Sequence, residues 1–502
     1  MSKRRTLFPL LTASACLAAA CSAPTSYHLV ADTDPLKVLV ADTPPTDWVT
    51  PAFDDSAWQS LSGPVGPLAP NAQGAMPTVL TRRKFDLGAE AAAYHTLTLS
   101  VTTTGTWTAY LNGQSVAQAN GSIVVPSGGM QASGNTLAVE IHPPAGSATV
   151  DVKLVLDGQP DSSTAGQAQL VKGPWLISPS AVGTTIVWET SLAIASQAVV
   201  DGKPYDGGAG THHQVTLTDL DASKAYPYHV EVAGQKSEEA QLTTAAKAGE
   251  RVRFVVYGDN RTDGDAHRRV VEAIETEGPD FLVNTGDLVD SSTDGEWQDF
   301  FNIEYSLIRH VPLFPTIGNH ETGDGARFME LFPIAGRVQG AGGQVYGADF
   351  GDVHIAAIDS NGDLDAQAKW LDQDLAAAEA RGAKHEFVFM HWGPYSSGTA
   401  LQHGSNFGAR GNIVPVVKAH HVEALFEGHD HFYERGASEN LSYFVTGGGG
   451  APLASTGQIA ETTMTKSAHH YLVVDIAGNT ATVTAKDLSG TPFDTVTLTS
   501  VR

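Results

Sequence analysis

In the C-terminal half of the chain, short apolar runs recur and each ends abruptly in a polar cluster. Phe254-Val255-Val256-Tyr257 runs into Gly258-Asp259-Asn260-Arg261, and residues 281–285 run into Gly286-Asp287-Leu288-Val289-Asp290. Residues 311–317 open into Gly318-Asn319-His320-Glu321, residues 386–390 into His391, and residues 424–427 into Gly428-His429-Asp430-His431. Apolar runs of this length, bounded by glycine, read as buried strands, so each polar cluster sits at a strand end. Between the first two, residues 266–276 place Val270, Val271 and Ile274 at helical spacing, with Asp265 as N-cap and Gly278 beyond the end. That predicts a βαβ unit with adjacent parallel strands. Asp259 and Asp287 then emerge at one carboxyl-end rim, where open α/β sheets keep their sites. Residues 364–381 carry Leu364, Ala368, Leu371, Leu375 and Ala378 on one face and close at Gly382, an amphipathic helix with Trp370 in the core. Residues 443–446, 471–476, 480–485 and 494–498 read as strands completing a second sheet. The glycines 447–450 lack the Lys that a P-loop requires.

The N-terminal half alternates with period two instead. Residues 97–101 and 106–111 read as strands, the latter followed by an Asn112-Gly113 hairpin turn. Residues 158–166 are a Gly/Ser/Asp-rich linker. Beyond it, Trp175, Trp188, Leu220, Tyr226 and Tyr228 punctuate a second all-β segment, in which His212 and His213 read as surface residues. The expected architecture is multidomain: two N-terminal all-β sandwiches followed by an α/β domain built as a two-sheet β-sandwich flanked by helices. Its boundaries are 35–157 for the first sandwich, 158–167 for the linker, 168–246 for the second sandwich and 250–502 for the α/β domain.

Residues 1–20 differ from all of this. Lys3-Arg4-Arg5 precedes an apolar stretch over 7–20, too short for the roughly 20 residues of a membrane span and shaped like a cleavable signal peptide. Leu17-Ala18-Ala19-Ala20-Cys21 resembles a bacterial lipobox. It implies a lipidated Cys21, a tether over 21–34 and an outer-membrane or cell-surface lipoprotein; an ordinary secretory signal, giving a periplasmic or secreted protein, is the alternative. The two cysteines of the chain, Cys16 and Cys21, both fall here, so the mature protein has no disulfide framework and no thiolate metal site.

A length of 502 residues suits about three domains. Hydrophobic content of 42%, charged content of 17% and 51 glycines point to folded, loop-rich, β-heavy structure. The formal charge is −25; without Lys3, Arg4 and Arg5 it becomes −28. Such a chain repels nucleic acid and anionic membrane surfaces, leaving a lipid anchor as its one route to a membrane. Holding any anionic ligand then needs local positive charge.

An Asn amide oxygen is an uncommon ligand suited to a hard or borderline cation, which makes Asn319 beside His320 informative. The ordered blocks GDN, GDLVD, GNHE, His391 and GHDH resemble the signature of the calcineurin-like metallophosphoesterases over about residues 250–500. His431-Phe432-Tyr433-Glu434-Arg435 is most similar to the purple acid phosphatase branch. The resemblance implies a two-metal phosphoesterase, with Fe, Mn or Zn, acting on a small phosphorylated substrate, a monoester or a diester, through a bridging hydroxide. It assigns Asp287 as the bridge, Asn319, His391 and His429 to one ion, and Asp259 and His431 to the other. His320 is left to assist the leaving group, Asn260 and Arg261 to clamp phosphate, and Glu321 and Asp290 to orient imidazoles. His310, His354, His385 and His403, outside the set, read as structural.

Two departures stand out. Arg261 occupies the place of the His in the superfamily's Asp-x-His, and Asp290 that of the Tyr found in purple enzymes. One ion is therefore short of a protein ligand; His267 on the following helix, or water, is available to fill the gap. Without a tyrosinate the enzyme is expected to be colourless. The first sandwich, through Trp48, Phe53, Trp58 and Arg82-Arg83-Lys84-Phe85, resembles galactose-binding-like modules, which implies a surface glycan as a partner; the competing reading makes it a packing domain with a core of Trp and Phe. The second, through Leu220 and Tyr226, resembles a fibronectin III-like domain with its tyrosine corner. The alternative function is a cell-surface glycan-binding lipoprotein on a degenerate phosphatase scaffold.

Overall fold

The computed structural model of the chain describes residues 27–30, 35–61, 63–87, 94–117, 121–126, 130–131, 133–160, 167–338, 341–399 and 403–501. The expected signal peptide over 1–20, the expected lipobox Cys21 and most of the expected linker lie outside the described residues. Tyr27–Val30, inside the expected tether, is instead a strand paired antiparallel with Val152–Pro160, which itself runs into the first residues of the expected linker. The pairing covers a sheet edge that would otherwise be open. Among the described residues no helix is long and apolar enough to cross a membrane.

The first module is a β-sandwich. A four-stranded and a six-stranded sheet face one another across Leu97, Leu99, Trp107, Val139 and Leu154. Asn112 and Gly113 both take positive φ, 48° and 85°, closing the hairpin between Thr106–Leu111 and Gln114–Ala117 with the twist such two-residue turns need. Trp48 and Trp58 are buried, stack at 6.1 Å and surround the fully buried Arg82. The Arg82 guanidinium donates to Asp55 at 2.7 Å and to the carbonyls of Trp48 and Thr50. These aromatics form a small core of their own.

The second module packs antiparallel strands around Leu176, Ile186, Trp188, Tyr228 and Leu242. The Asp221 N–H donates to the Tyr226 hydroxyl at 2.8 Å, the contact of a tyrosine corner. His213 is buried against Trp188, with Nε2 3.0 Å from Thr190 Oγ1, so it is a core residue and not the surface residue its turn-like context suggested.

This module is continuous with the α/β region. Leu170–Ser180 pairs in parallel with Leu313–Pro315, joining both into one 12-stranded sheet. Trp175 leaves its own module's core to pack on Phe301 at 4.3 Å and donates its indole N–H to Leu331 O. Glu189 receives Arg327 at 2.7 Å across the same junction and Lys172, from its own module, at 3.2 Å.

In the α/β region two sheets face each other over Phe254, Phe281, Phe387, Phe389 and Phe426. Val252–Tyr257, Phe281–Asn284 and Leu313–Pro315 run parallel in one; Val353–Ile358, His385–Met390 and Ala424–Glu427 run parallel in the other. Leu364–Arg381 is helical and ends on Gly382 at φ 94°. The helix after the first strand is Gly264–Glu275, capped by Asp263 rather than Asp265: Asp263 accepts the N–H groups of Asp265 and Ala266. His470–Ala477, Thr480–Asp487 and Pro492–Thr499 do not complete the second sheet. They extend the first, because His470–Ala477 pairs antiparallel with the free edge of Val252–Tyr257.

Candidate metal centre

All five polar clusters meet at the carboxyl ends of their strands, between the two sheets. Asn319 Oδ1 lies 3.0 Å from His391 Nε2 and 3.0 Å from His429 Nδ1; the two imidazole nitrogens are 3.2 Å apart, and His391 Nε2 is 3.2 Å from Asp287 Oδ1. An amide oxygen, a carboxylate oxygen and two imidazole nitrogens converging at these distances make a donor set suited to a cation. Asp287, Asn319, His391 and His429 would together hold one divalent cation. Asp287, His391 and His429 are all buried.

The local structure aims these atoms deliberately. Asp259, Asp287 and His429 have φ of 58°, 55° and 71°, a left-handed conformation that costs a non-glycine residue of order 1 kcal/mol or more. Three such residues thus meet at one point of the fold. Their loops are stitched together: both oxygens of Asp259 accept the His429 N–H at 3.1 and 3.0 Å, and Asp287 Oδ1 accepts the His320 N–H at 3.1 Å. A Cβ on Gly318 would stand 2.2 Å from Asp287 Oδ1, so only glycine permits this approach. His391 Nδ1–H donates to Thr285 O and His431 Nδ1–H to Pro452 O, each at 2.9 Å. Those bonds fix the tautomers and leave both Nε2 atoms for a ligand. His431 Nε2 is buried with no hydrogen-bond partner and lies 3.6 Å from Asp259 Oδ1.

The electrostatics are uneven. Burial lifts the Asp259 carboxyl above its ordinary range. Burial also opposes ionisation of Asp287, but attraction to His391 outweighs it and holds Asp287 low. His391 is correspondingly raised to about 9 against the opposing effect of burial. Burial, and then Arg261, push His431 down to about 4, keeping it neutral and able to ligate.

Other expected residues fall differently. His267 is not part of the centre: it is buried against Phe300 and its Nε2 is 2.8 Å from Glu304, a partner on the helix Asp294–Ile308 that outcompetes the loop. Asn260 is not free to clamp phosphate either, since it is buried, accepts from Asn284 Nδ2 at 2.6 Å and donates to Gly449 O. Arg261 does reach the centre, with Nε 3.3 Å from Asp287 Oδ2 and Nη1 2.6 Å from Asp290 Oδ1. Glu321 holds backbone rather than an imidazole, accepting the N–H groups of Gly318, Asp287 and Val289 at 2.8, 3.1 and 3.2 Å. Asp290 orients His320 through its carbonyl, which accepts from Nδ1, so that Nε2 faces Asp287 Oδ2 at 3.7 Å.

Two features escaped the sequence reading. His403 is not a remote structural histidine: it stacks on His429 at 4.9 Å, holds Nδ1 2.9 Å from Asp430 Oδ1 and is about a quarter exposed at 28%. The glycines 447–450 cradle the first motif, with Gly449 N–H donating to Gly258 O and Ala451 N–H to Asp259 O at 2.9 and 2.8 Å. The run of four glycines was a signal for close backbone approach; His403, in a loop, carried none.

The calcineurin-like phosphoesterase family model matches residues 252–433. An uncharacterized protein of Mycobacterium tuberculosis is 25% identical over 263 residues, covering 44% of this chain and 49% of that one. Purple acid phosphatase 21 of Arabidopsis thaliana is 26% identical over 242 residues, covering 45% and 54%. The chain thus spans about half the length of these relatives. The structure of purple acid phosphatase PPD1 from yellow lupin (Lupinus luteus) seeds shares the fold, with a TM-score of 0.61 at 14% identity over 87% of this chain and 95% of that one. The family implies a dinuclear metal site, and the strand ends described above bring its donors together. Residues 252–433, which hold every candidate ligand, thus form a domain matched by the calcineurin-like phosphoesterase family model.

Proposed function

We propose that the chain is an exported, metal-dependent phosphoesterase that hydrolyses small phosphate monoesters, with diesters as the neighbouring substrate class. The observation that carries this is the convergence of Asn319 Oδ1, His391 Nε2, His429 Nδ1 and Asp287 Oδ1 within 3.0–3.2 Å of one another's neighbours. The phosphatase names of its relatives agree with it. Asp287, Asn319, His391 and His429 would hold one ion, and Asp259 and His431, with Asp287, the other. When bound, such ions polarise a phosphoryl oxygen and ready a solvent nucleophile.

The chain's own residues supply the rest. His320 and His403 line the centre, 26% and 28% exposed, while Asp259, Asp287, His391, His429 and His431 beneath are buried and Asn319 is exposed at the rim. His320 Nδ1 donates to the Asp290 carbonyl, which leaves its Nε2 facing the centre, and His403 Nδ1 lies 2.9 Å from Asp430 Oδ1. From there they can hold phosphoryl oxygens or deliver a proton to the leaving-group oxygen. Arg261 adds a fixed positive charge where a chain of net charge −25 would otherwise repel an anion.

Attachment through a lipidated Cys21, and the galactose-binding-like and fibronectin III-like identities of the two sandwiches, belong to this proposal. Asp290 stands where a tyrosinate would give colour, so the loaded protein is colourless; a purple preparation contradicts the ligand set. The glycan-binding reading draws no support from Trp48 and Trp58, which are 5% and 8% exposed inside their own module.

The test is steady-state hydrolysis of an aryl phosphate monoester and its matching diester by wild type and His429→Ala, with Mn, Fe or Zn supplied. Monoester turnover lost in the variant supports the proposal. Turnover that survives His429→Ala, or none of either ester in the wild type, refutes it.

A further inference from the structure

The centre is lopsided. On one side Asn319 Oδ1, His391 Nε2, His429 Nδ1 and Asp287 Oδ1 converge. On the other, the remaining oxygen of the shared carboxylate, Asp287 Oδ2, faces a guanidinium: Arg261 Nε is 3.3 Å away, buried, and makes no hydrogen bond in that position. Nη1 is anchored 2.6 Å from Asp290, so the side chain is held against the centre and not swung into solvent; it is 17% exposed. The donors left on this side are Asp259 and His431 Nε2, 3.6 Å apart. Arg261 lies two residues after Asp259 in a loop that turns at Thr262, φ 78°, placing its charge where a third donor would be needed.

We propose that Arg261 makes the two metal positions unequal: the Asn319/His391/His429 position binds its ion tightly, and the Asp259/His431 position binds one at least tenfold more weakly, with the guanidinium standing in for much of the second ion's charge. Two physical effects act together. A position with fewer protein donors binds a divalent ion less strongly. A fixed positive charge a few ångströms from that ion, in a water-poor site, repels it. The same charge offsets the loss for an anionic substrate, since a guanidinium is itself a phosphate-binding group. The inference rests on the metal-dependent phosphoesterase reading.

The experiment counts metal and needs no turnover. Chelator-stripped wild type, Arg261→Ala and Arg261→His are titrated with Mn²⁺ by equilibrium dialysis, with bound metal quantified and folding checked by circular dichroism. For wild type the expected result is one tightly bound ion and a second with a dissociation constant at least ten times higher. Arg261→Ala should narrow that gap, and Arg261→His, which removes the charge and adds a donor, should retain two ions of similar affinity. Two equally tight ions in wild type overturn the inference and leave the phosphoesterase reading intact. A folded Arg261→His that still holds one tight ion also overturns it. No retained ion in any protein defeats the metal-centre reading and the inference with it. If Arg261→His does not fold, the wild-type isotherm decides alone.

Discussion

The Glu321 carboxylate accepts the backbone N–H of Asp287 at 3.1 Å, and the same group accepts those of Gly318 and Val289. A fully buried side chain thus fixes the loop bearing Asp287 against the loop bearing Asn319. Glu321→Ala strands three buried amides, each worth about 1–3 kcal/mol. The expected outcome is a loss of at least about 3 kcal/mol in denaturant unfolding, together with weaker metal retention. Unchanged stability would show that water replaces the carboxylate.

Arg268 on the helix Gly264–Glu275 meets Asp86 of the first sandwich at 2.6 Å, with side chains 7% and 1% exposed. Arg83 and Asp265 form a second link at 3.3 Å. The helix begins just after Asp259-Asn260-Arg261, so the sandwich braces the first motif. Removing one partner of a buried pair costs about 3–5 kcal/mol. Asp86→Ala is expected to lower the melting temperature measurably, and an Asp86→Ala/Arg268→Ala double variant to recover part of the loss; additive losses would contradict coupling.

His354 is buried between Asp349 and Asp374, its Nδ1 and Nε2 donating at 2.6 and 2.9 Å, which requires the doubly protonated ring. Burial opposes that charge, but the two carboxylates raise the group to about 9. The folded value exceeds the unfolded one of about 6.5, so its stabilisation is complete below about pH 6.5 and lost as pH rises through about 9. The shift corresponds to about 3 kcal/mol. Melting curves of wild type and His354→Gln should therefore converge between about pH 7 and pH 10. A constant gap across that range would contradict the assignment.

His403 touches the centre without joining it, stacking on His429 with its Nδ1 2.9 Å from Asp430 Oδ1. His403→Ala is expected to lower kcat by about 10²-fold or more while leaving bound metal unchanged. Loss of metal in this variant would make His403 a ligand; unaltered kcat would remove it from the chemistry.

How much was legible depended on how local the cause was. The strand-end clusters could be read because buried parallel strands are short apolar runs, and Gly258, Gly286, Gly318 and Gly428 mark where each chain turns into the site. The helix Leu364–Arg381 and its Gly382 stop followed from periodicity and cap chemistry. Partner choice did not follow. Nothing local says that His470–Ala477 pairs with Val252–Tyr257, that Glu304 claims His267, or that Asn284 claims Asn260. Those outcomes depend on residues distant in sequence, as does the placing of His403 over His429. Arg261 shows both limits: its departure from the motif was visible, but its contact with Asp287 Oδ2 was not.

The most direct test of the central claim is the rate of aryl phosphate monoester hydrolysis before chelation, after chelation and after metal is returned, in wild type and Asp287→Asn. Activity that disappears on chelation, returns with metal and is absent throughout in Asp287→Asn is the predicted result. Hydrolysis that survives chelation, or an Asp287→Asn protein as active as wild type, would contradict it.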